Sequence, residues 1–557
     1  MGNHRRRFRH CVARAAAAVL AVLWVAGPAA ARVAPRSEDQ RQLEADAVVY
    51  EAARAYFPSD DTTLPPRRIF RLTRDQIDLT VAALLPGLAP RPVKAAMPRD
   101  PLQTNYEYAE LIGLNAANWG PLSGWIADIA KAAAKSPERV VACGKTTAAS
   151  CHEAKARAFV IEAFRGGAPA AKVEKLARHY VDGLKTGGPG QAAGELVEIV
   201  LNSPDFLFRR ELSIDATGLL APAEQLEALA YTLADVPPAK LGLESAGAAK
   251  YLATAADRAA LAERIVTSPE ARAKLVRFFK AWLEIREPGE YAISREAFPE
   301  FTPEVATAMT RATEAFLEAA LTQPRPSLKD ITQAGKAVVP PALAPIYAIP
   351  AAWTDAARPV AVDAGQRLGI FSQPAVIASH SGPDSTRLVK RGVFWVRKVM
   401  CMELEPPPPG LSKTLYGTTT TTERARIEKA TAPRDCVGCH KKIDRFGFFQ
   451  EPWDAIGRWR ALDNNFPIDA KIAIDFLDEE PVETSGPVEA LRALTGSMML
   501  KQCFVRQLYR YYMGRNEEPG DDPLLRRMLL AFAQKDEQDL LGLLRVLATD
   551  ERLVRRR

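Results

Sequence analysis

The sequence predicts a mainly α-helical protein with several domains. In most segments, apolar residues recur at three- and four-residue spacing, as they do in amphipathic helices. Strand signals are few, and the best lie at residues 471–476 and 394–399. The 557 residues include 42 prolines, many of them between the helical segments. A chain of this length is expected to hold three to five domains.

Most of the expected helices are bounded by proline, glycine or small polar residues. Within the segment 67–85, Thr73 is the expected N-cap before Arg74 and Asp75. We expect a helix break at residues 120–121, where glycine precedes proline. The predicted helical segments are 40–56, 67–85, 106–135, 153–164, 171–184, 191–202, 222–234, 257–268, 270–283, 303–321, 487–515 and 523–549.

Proline-rich stretches and changes of pattern suggest the domain boundaries. The stretch at 324–359 lacks a helical period, so we predict a linker there. The predicted units are a signal peptide (1–31), an N-terminal helical module (32–100), a helical module with Cys143 and Cys151 (101–215), a helical module (216–323), the linker (324–359), a ligand-carrying domain discussed below (360–465) and a C-terminal helical module (466–557).

The first 31 residues have the three parts of a secretory signal. Five arginines precede a short apolar core, and three alanines at 29–31 form a cleavage site. The formal net charge is +7, but with those five arginines removed the remainder carries only +2. We therefore expect a periplasmic or secreted protein with no nucleic-acid partner and no membrane span after cleavage. An uncleaved signal anchor is the alternative.

The segment Cys436-Val437-Gly438-Cys439-His440 matches the attachment motif of a c-type haem. The two thiols bond to the porphyrin vinyl groups, and the next residue ligates the iron. Only 7 cysteines and 6 histidines occur in the chain, so a chance match is improbable. The motif predicts one covalent haem c, with His440 as proximal ligand, in a C-terminal cytochrome c-like domain.

Five aromatic residues follow the motif within fourteen positions. Phe448 and Trp453 are among them, and we expect them to contact the porphyrin, since burial tunes the iron potential. Arg458 is expected to pair with a haem propionate. The alternative is an ordinary aromatic cluster with surface arginines. The sixth iron ligand stays open between His380, a methionine such as Met513, and an open position.

The four cysteines outside the motif and the signal region suit an oxidising compartment. Cys143 and Cys151 would close a short loop, and Cys401 and Cys503 would then pair by elimination. The sequence alone does not fix the connectivity, and four buried free thiols are the alternative.

The chain resembles the planctomycete-type secreted multidomain cytochromes, a family whose modules are mostly of unknown function. The resemblance is strongest from Val360 to the C-terminus and looser before it. Two pairs depart from the family pattern: Asp444-Arg445 stands for Asp-Pro, and Trp453-Asp454 for Phe-Asp. The resemblance implies secretion, haem c and a helical body, and supplies no substrate. It rests on residues 390–397, Cys401, 436–440, 443–444, 447–448, 457–458, Cys503 and 514–515.

Three functions are compatible with these observations. The first is electron transfer to a redox partner protein by a monohaem cytochrome. The second is a haem enzyme, peroxidase-like or oxygenase-like, which needs an open sixth position. The third is a secreted binding or scaffold protein with a structural haem. The long region before Val360 keeps the last two open, because it exceeds what electron transfer needs and could dock an extracellular polymer or a partner enzyme.

Overall fold

Helices make up most of the structure, a computed structural model that describes residues 38–144, 146, 148–350, 359–405, 420–475, 480–534 and 538–557. The predicted signal peptide lies outside the described residues. No helix in these ranges is long and apolar enough to cross a membrane. The mainly helical fold predicted from the sequence is confirmed.

The helices of the first half are α1 (Glu38–Tyr56), α2 (Arg74–Leu84), α3 (Ala116–Lys135), α4 (Ala149–Ala163), α5 (Ala170–Leu201), α6 (Pro204–Leu207), α7 (Pro222–Ala234), α8 (Ala255–Val266), α9 (Pro269–Trp282), α10 (Pro303–Leu321) and α11 (Leu328–Thr332). Those of the second half are α12 (Pro374–Ser379), α13 (Leu388–Phe394), α14 (Glu423–Thr431), α15 (Arg434–Phe448), α16 (Pro487–Gly496), α17 (Met498–Met513), α18 (Asp522–Ala533), α19 (Leu540–Ala548) and α20 (Glu551–Val554). Thr73 caps α2 as predicted, accepting a hydrogen bond from the Gln76 N–H.

The strands form short antiparallel pairs. They are β1 (Arg68–Arg71), β2 (Leu102–Gln103), β3 (Tyr106–Glu107), β4 (Phe208–Glu211), β5 (Lys336–Val338), β6 (Pro359–Ala361), β7 (Leu462–Asp463), β8 (Phe466–Pro467), β9 (Ile472–Ile474) and β10 (Val482–Thr484). Pairing runs β1–β4, β2–β3, β5–β6, β7–β8 and β9–β10. The strand predicted at 471–476 is therefore present as β9.

Two hydrophobic cores lie beneath these elements. The smaller core joins α2 to α5 and includes Trp125 and Leu196. The main core joins α1 to the helices from α7 onward, and Trp282, Trp395 and Phe504 are fully buried in it. Residues from both sides of the predicted boundaries at 323 and 465 contribute to this core, so the C-terminal half is packed as one body.

A buried ion cluster joins the strands β1 and β4 to the C-terminal residues. Glu211 on β4 accepts from Arg68 Nε at 2.5 Å and from Arg556 Nε at 2.7 Å, and Arg209 lies 3.5 Å away. Burial alone would raise the pKa of Glu211, but the three arginines lower it to about 2. The carboxylate therefore stays charged, and it fixes the C-terminal residues against the β1–β4 ribbon.

Several local predictions differ from the structure. The predicted helices at 67–85 and 106–135 begin with the short strands β1 and β3, and those at 487–515 and 523–549 are each divided into two helices. The predicted linker contains α11 and β5, and Ile331, Val339 and Leu343 in it are buried in the main core. Residues 394–399, a predicted strand, complete α13 and continue as a π-helix. The helix α3 runs through Pro121 without the expected break.

Two disulfides are present, Cys143–Cys151 and Cys401–Cys503. The pairing expected by elimination is confirmed. The second bond connects the end of the π-helix to α17 across 102 positions of sequence. In the chain-entropy model, a loop of this size contributes roughly 4–5 kcal/mol to stability.

The crossing of α13 and α15 requires glycine on both helices. A Cβ atom on Gly447 would overlap the carbonyl oxygen of Leu388, and one on Gly392 would overlap that of Ile443. The backbones approach closely because these side chains are absent. This contact sets the position of α15, which carries the cysteine–histidine motif.

We expect Gly447→Ala to lower the free energy of unfolding by about 1–3 kcal/mol, since the backbone of α13 must move. The matched control is Gly438→Ala on the same helix, where an added Cβ meets no atom within 4 Å. That change should stabilise the haem-free protein by about 0.5–1 kcal/mol through helix propensity. Urea denaturation of the haem-free protein measures both. Equal stability of the two variants would contradict the close crossing.

Candidate functional site

The motif lies on the first two turns of α15. Residues three and four apart share one helix face, so Cys436, Cys439 and His440 lie side by side. Both cysteines are half-buried and are the free cysteines among the described residues. The structure therefore brings the three predicted attachment residues together.

A cavity of about 840 Å³ adjoins the neighbouring face of α15, which carries His440, Asp444 and Phe448. Its volume falls in the range of small-molecule and cofactor sites, roughly 300–1,000 Å³. The walls come from α14, α15, β9 and β10. His440 borders both the cysteine face and the cavity, whereas neither thiol lines the wall. The residues that line it include Arg424, His440, Lys441, Asp444, Arg445, Phe448, Lys471 and Ile472.

A carboxylate orients the imidazole of His440. The Nδ1 of His440 lies 2.9 Å from Asp444 Oδ1, one helical turn further along α15. A hydrogen bond from Nδ1–H to the carboxylate leaves the Nε2 lone pair as the ligating atom. Histidines that bind metals in proteins commonly have such a carboxylate partner, which holds the ring and makes it more basic.

Phe448 is the predicted aromatic residue that reaches the cavity wall. Trp453 does not, because its indole is fully buried and donates to the Gln366 carbonyl at 3.1 Å. After α15 the chain turns into the main core, so nearness in sequence to the motif does not bring Trp453 to the cavity.

Arg458 also lies away from the cavity. Its Nε donates to Asp454 Oδ2 at 2.9 Å, and its Nη1 bonds to Glu300. Both carboxylates form ion pairs with the guanidinium of Arg458. The prediction that Arg458 pairs with a propionate is therefore not favoured by its position.

The two candidate sixth ligands lie elsewhere. His380 is buried, its Nε2 is 2.9 Å from the Leu283 carbonyl oxygen, and its ring stacks on Phe394 at 3.7 Å. Burial lowers the pKa of His380 to about 3, so the ring is neutral. Met513 is buried at a different cavity. Neither side chain is among the described residues that line the cavity at His440.

Sequence reasoning missed the cations on the wall. Arg424 on α14 lies with its guanidinium 4.9 Å from the centre of the Phe448 ring and donates to the carbonyls of Asp469 and Lys471. Arg445 donates to the Lys441 carbonyl at 3.0 Å. Arg424 lies on a different helix from the motif, so its position at the cavity was not evident from the sequence.

A buried arginine fixes the end of α15. Arg391 on α13 is fully buried and donates to the carbonyls of Gln450, Trp453 and Asp454 at 2.8–3.0 Å. It also donates to Ser381 Oγ at 2.8 Å. Burial lowers the pKa of Arg391 to about 9, so it is charged at neutral pH. The chain after α15 is thus held to α13 by one side chain.

Glu451 gives this region a pH dependence. Glu451 is fully buried. Its Oε1 accepts a hydrogen bond from the backbone N–H of Arg424 at 3.0 Å, and its Oε2 has no partner among the described residues. Burial raises the pKa of Glu451 to about 7. Between pH 4.5 and 7 the folded protein keeps a proton that the unfolded chain has released, so stability should fall as pH rises through this window.

We expect Glu451→Gln to remove the contribution of Glu451 to the pH dependence of stability. Its unfolding free energy should match the wild type near pH 5 and exceed it by about 2–3 kcal/mol at pH 8. Urea denaturation at both pH values measures the difference. Glu110→Gln, at an exposed position, is the control and should leave the pH profile unchanged. The same change of stability between pH 5 and pH 8 in the wild type, in Glu451→Gln and in Glu110→Gln would contradict the assignment.

Two family models match parts of the chain. Residues 367–463 match PSCyt3, described as a protein of unknown function (DUF1588), and residues 220–349 match PSD4, described as a protein of unknown function (DUF1592). Both are cytochrome-associated modules of the planctomycete type. The first match covers α12 to α15 and the second α7 to α11. No curated protein and no solved structure matches the chain.

Proposed function

We propose that the chain is a secreted or periplasmic c-type cytochrome that transfers electrons through one covalent haem. The observation that carries the proposal is the arrangement on α15. Two free thiols lie one helical turn apart, beside an imidazole whose Nδ1 is held by Asp444 at the edge of a cofactor-sized cavity. A redox partner protein is implied, because a single haem exchanges electrons with another molecule.

The residues present fit a haem c. Cys436 and Cys439 supply the two thiols for attachment, and His440 supplies one axial nitrogen. Among the described residues, no group of three or more His, Cys, Asp or Glu side chains is arranged as a metal site. A porphyrin brings four of the iron ligands itself, so one histidine suffices. Bound haem supplies a one-electron iron couple.

The cavity wall has both apolar and cationic parts. Phe448 and Ile472 are buried apolar residues that would cover a porphyrin face. Arg424 and Arg445 line the same cavity and are suited to pair with propionates, the role that sequence reasoning gave to Arg458. Exclusion of water by the apolar residues is one means by which a protein sets the potential of such a site.

Two features of the chain support export. The first 31 residues have the pattern of an export signal, and the described residues contain two disulfides. Structural disulfides persist in oxidising compartments, where c-type haem attachment also occurs. Both features support a periplasmic or extracellular protein.

A second candidate is a haem protein that binds a small molecule at an open iron position. It is favoured by the cavity wall, in which His440 is the one imidazole and no methionine lines the described part. Five-coordinate iron can bind and activate small ligands, as in peroxidases and oxygenases.

The test is spectroscopic. The exported protein, denatured in alkaline pyridine, should give the spectrum of a haem bound through two thioethers, at one haem per chain. Haem that acid acetone extracts, or no haem at all, would refute the proposal. Native spectra then separate the two candidates. A low-spin iron that resists carbon monoxide fits electron transfer, and a high-spin iron that binds it quickly fits the second candidate.

A further inference from the structure

A second cavity, of about 520 Å³, lies where β1, α2 and β4 meet α7, α9 and α17. It therefore borders both hydrophobic cores. None of the described residues lines both this cavity and the one at His440. Nothing in the proposed cytochrome function uses it.

Cations outnumber carboxylates at its inner wall. Asp235 accepts from Lys274 Nζ at 2.7 Å and from Arg277 Nη2 at 2.9 Å, so two cations share one acid. Arg209 is a third cation, and its nearest carboxylate is Glu211 at 3.5 Å. Glu211 already pairs more closely with two other arginines. We call Arg209, Lys274 and Arg277 the cationic cluster.

The cluster also has unused hydrogen-bond donors. The Nε atoms of Arg209 and Arg277 and the hydroxyl of Tyr512 are buried without a hydrogen-bond partner in the described part of the chain. Arg209 and Tyr512 are each only 4% exposed. The Tyr512 ring lies 4.9 Å from Lys274 Nζ, so it belongs to the same group. Buried donors without partners are rare in folded proteins and carry a free-energy cost.

The carboxylates on the outer wall do not neutralise the excess positive charge of the cationic cluster, because they contact cations outside it. Asp75 pairs with Lys94, Glu287 with Lys280 at 3.3 Å, and Glu290 with Arg99. Glu284 lies 3.9 Å from Lys398. Burial raises the pKa of Glu107 to about 7, so this acid is half-neutral at physiological pH.

We propose that this second cavity binds a small organic anion whose carboxylate or phosphate oxygens accept hydrogen bonds from the cationic cluster and Tyr512. Such oxygens are the acceptors that arginine and tyrosine donors lack here. The surrounding aromatic rings of Tyr231 and Tyr511 give the rest of the ligand an apolar surface. The site would give the contact between the two hydrophobic cores a ligand-binding role.

Calorimetric titration of the mature full-length protein tests this, with inorganic phosphate and gluconate as separate probes. We expect saturable binding of at least one probe at one site per chain. Tyr512→Phe removes only the hydroxyl and should weaken that binding about fivefold to tenfold. Arg277→Gln should weaken it as well and should reduce its salt dependence. Tyr509→Phe is the matched control, since Tyr509 is buried on the same helix outside the cavity.

The outcomes are distinct. Binding of phosphate alone, of gluconate alone, or of both supports the site and defines the anionic group it takes. No saturable binding of either probe at millimolar concentration overturns the proposal, and so does equal weakening by Tyr512→Phe and Tyr509→Phe. Thermal unfolding of each variant without anion checks that the fold is intact. Because the heat of anion binding is read independently of haem content, failure here leaves the cytochrome proposal standing.

Discussion

Replacing both Cys436 and Cys439 by alanine should abolish covalent haem attachment, the largest effect expected of any substitution in this chain. These are the two free thiols on α15, and the other four cysteines of the described residues are in disulfides. No free thiol remains among the described residues to bond a vinyl group. Haem staining of a denaturing gel should fall to background, while each single variant should keep haem through one thioether.

The matched control removes two cysteines elsewhere. Replacing Cys143 and Cys151 by serine breaks a short-range disulfide and should cost about 2–3 kcal/mol of stability while haem attachment persists. Haem that withstands acid acetone in the Cys436/Cys439 variant would show that attachment occurs elsewhere. Loss of haem in both variants to the same degree would point to a folding effect and contradict the specific role of α15.

Arg391→Met should be among the most destabilising substitutions outside the ion clusters. It removes charge-assisted hydrogen bonds to three buried carbonyls, those of Gln450, Trp453 and Asp454. The Gln450 and Asp454 carbonyls keep a backbone N–H partner, and the Trp453 carbonyl loses its one partner among the described residues. Hydrogen bonds to a charged group contribute about 1.5–3 kcal/mol each, and relief of the buried charge offsets part of the loss. We expect a net loss of about 3–5 kcal/mol in urea denaturation of the haem-free protein.

A nearby exposed arginine is the control. Arg397→Met, two turns further along the same segment, should change stability by less than about 0.5 kcal/mol. The stability of Arg391→Lys should fall between those of the two methionine variants. The lysine ammonium group keeps the positive charge, but it lacks the planar fork of the guanidinium and cannot reach all four acceptors. A loss below about 1 kcal/mol for Arg391→Met would show that the chain after α15 does not depend on this residue.

Helix boundaries were predictable where one residue carries a clear local signal. For α10, Thr302 is the N-cap and proline follows at the first helical position, and both observed ends match the prediction. The juxtaposition of Cys436, Cys439 and His440 was equally predictable, since their spacing of three and four residues places them on one face of any helix. Local chemistry determines such features, so a sequence shows them directly.

The features that the sequence did not predict depend on packing between residues far apart in the chain. The predicted linker is buried because its apolar residues meet α10 and the strand β6, which no local pattern shows. Arg424 reaches Phe448 only after α14 packs beside α15, and Trp453 points inward because the chain turns at the end of that helix. Which side chains face the cavity is set by contacts between residues far apart in sequence.

The Cys401–Cys503 bond places the whole of α15 inside a covalently closed ring of chain. During synthesis from the N-terminus, Cys436 and Cys439 emerge after Cys401 and before its native partner Cys503. For some time, therefore, the thiols of Cys436 and Cys439 are the nearest partners in sequence for Cys401. Under the proposed function, a haem bonded to both thiols removes these two competitors before Cys503 appears. Strains deficient in haem delivery should then accumulate non-native disulfides between Cys401 and α15.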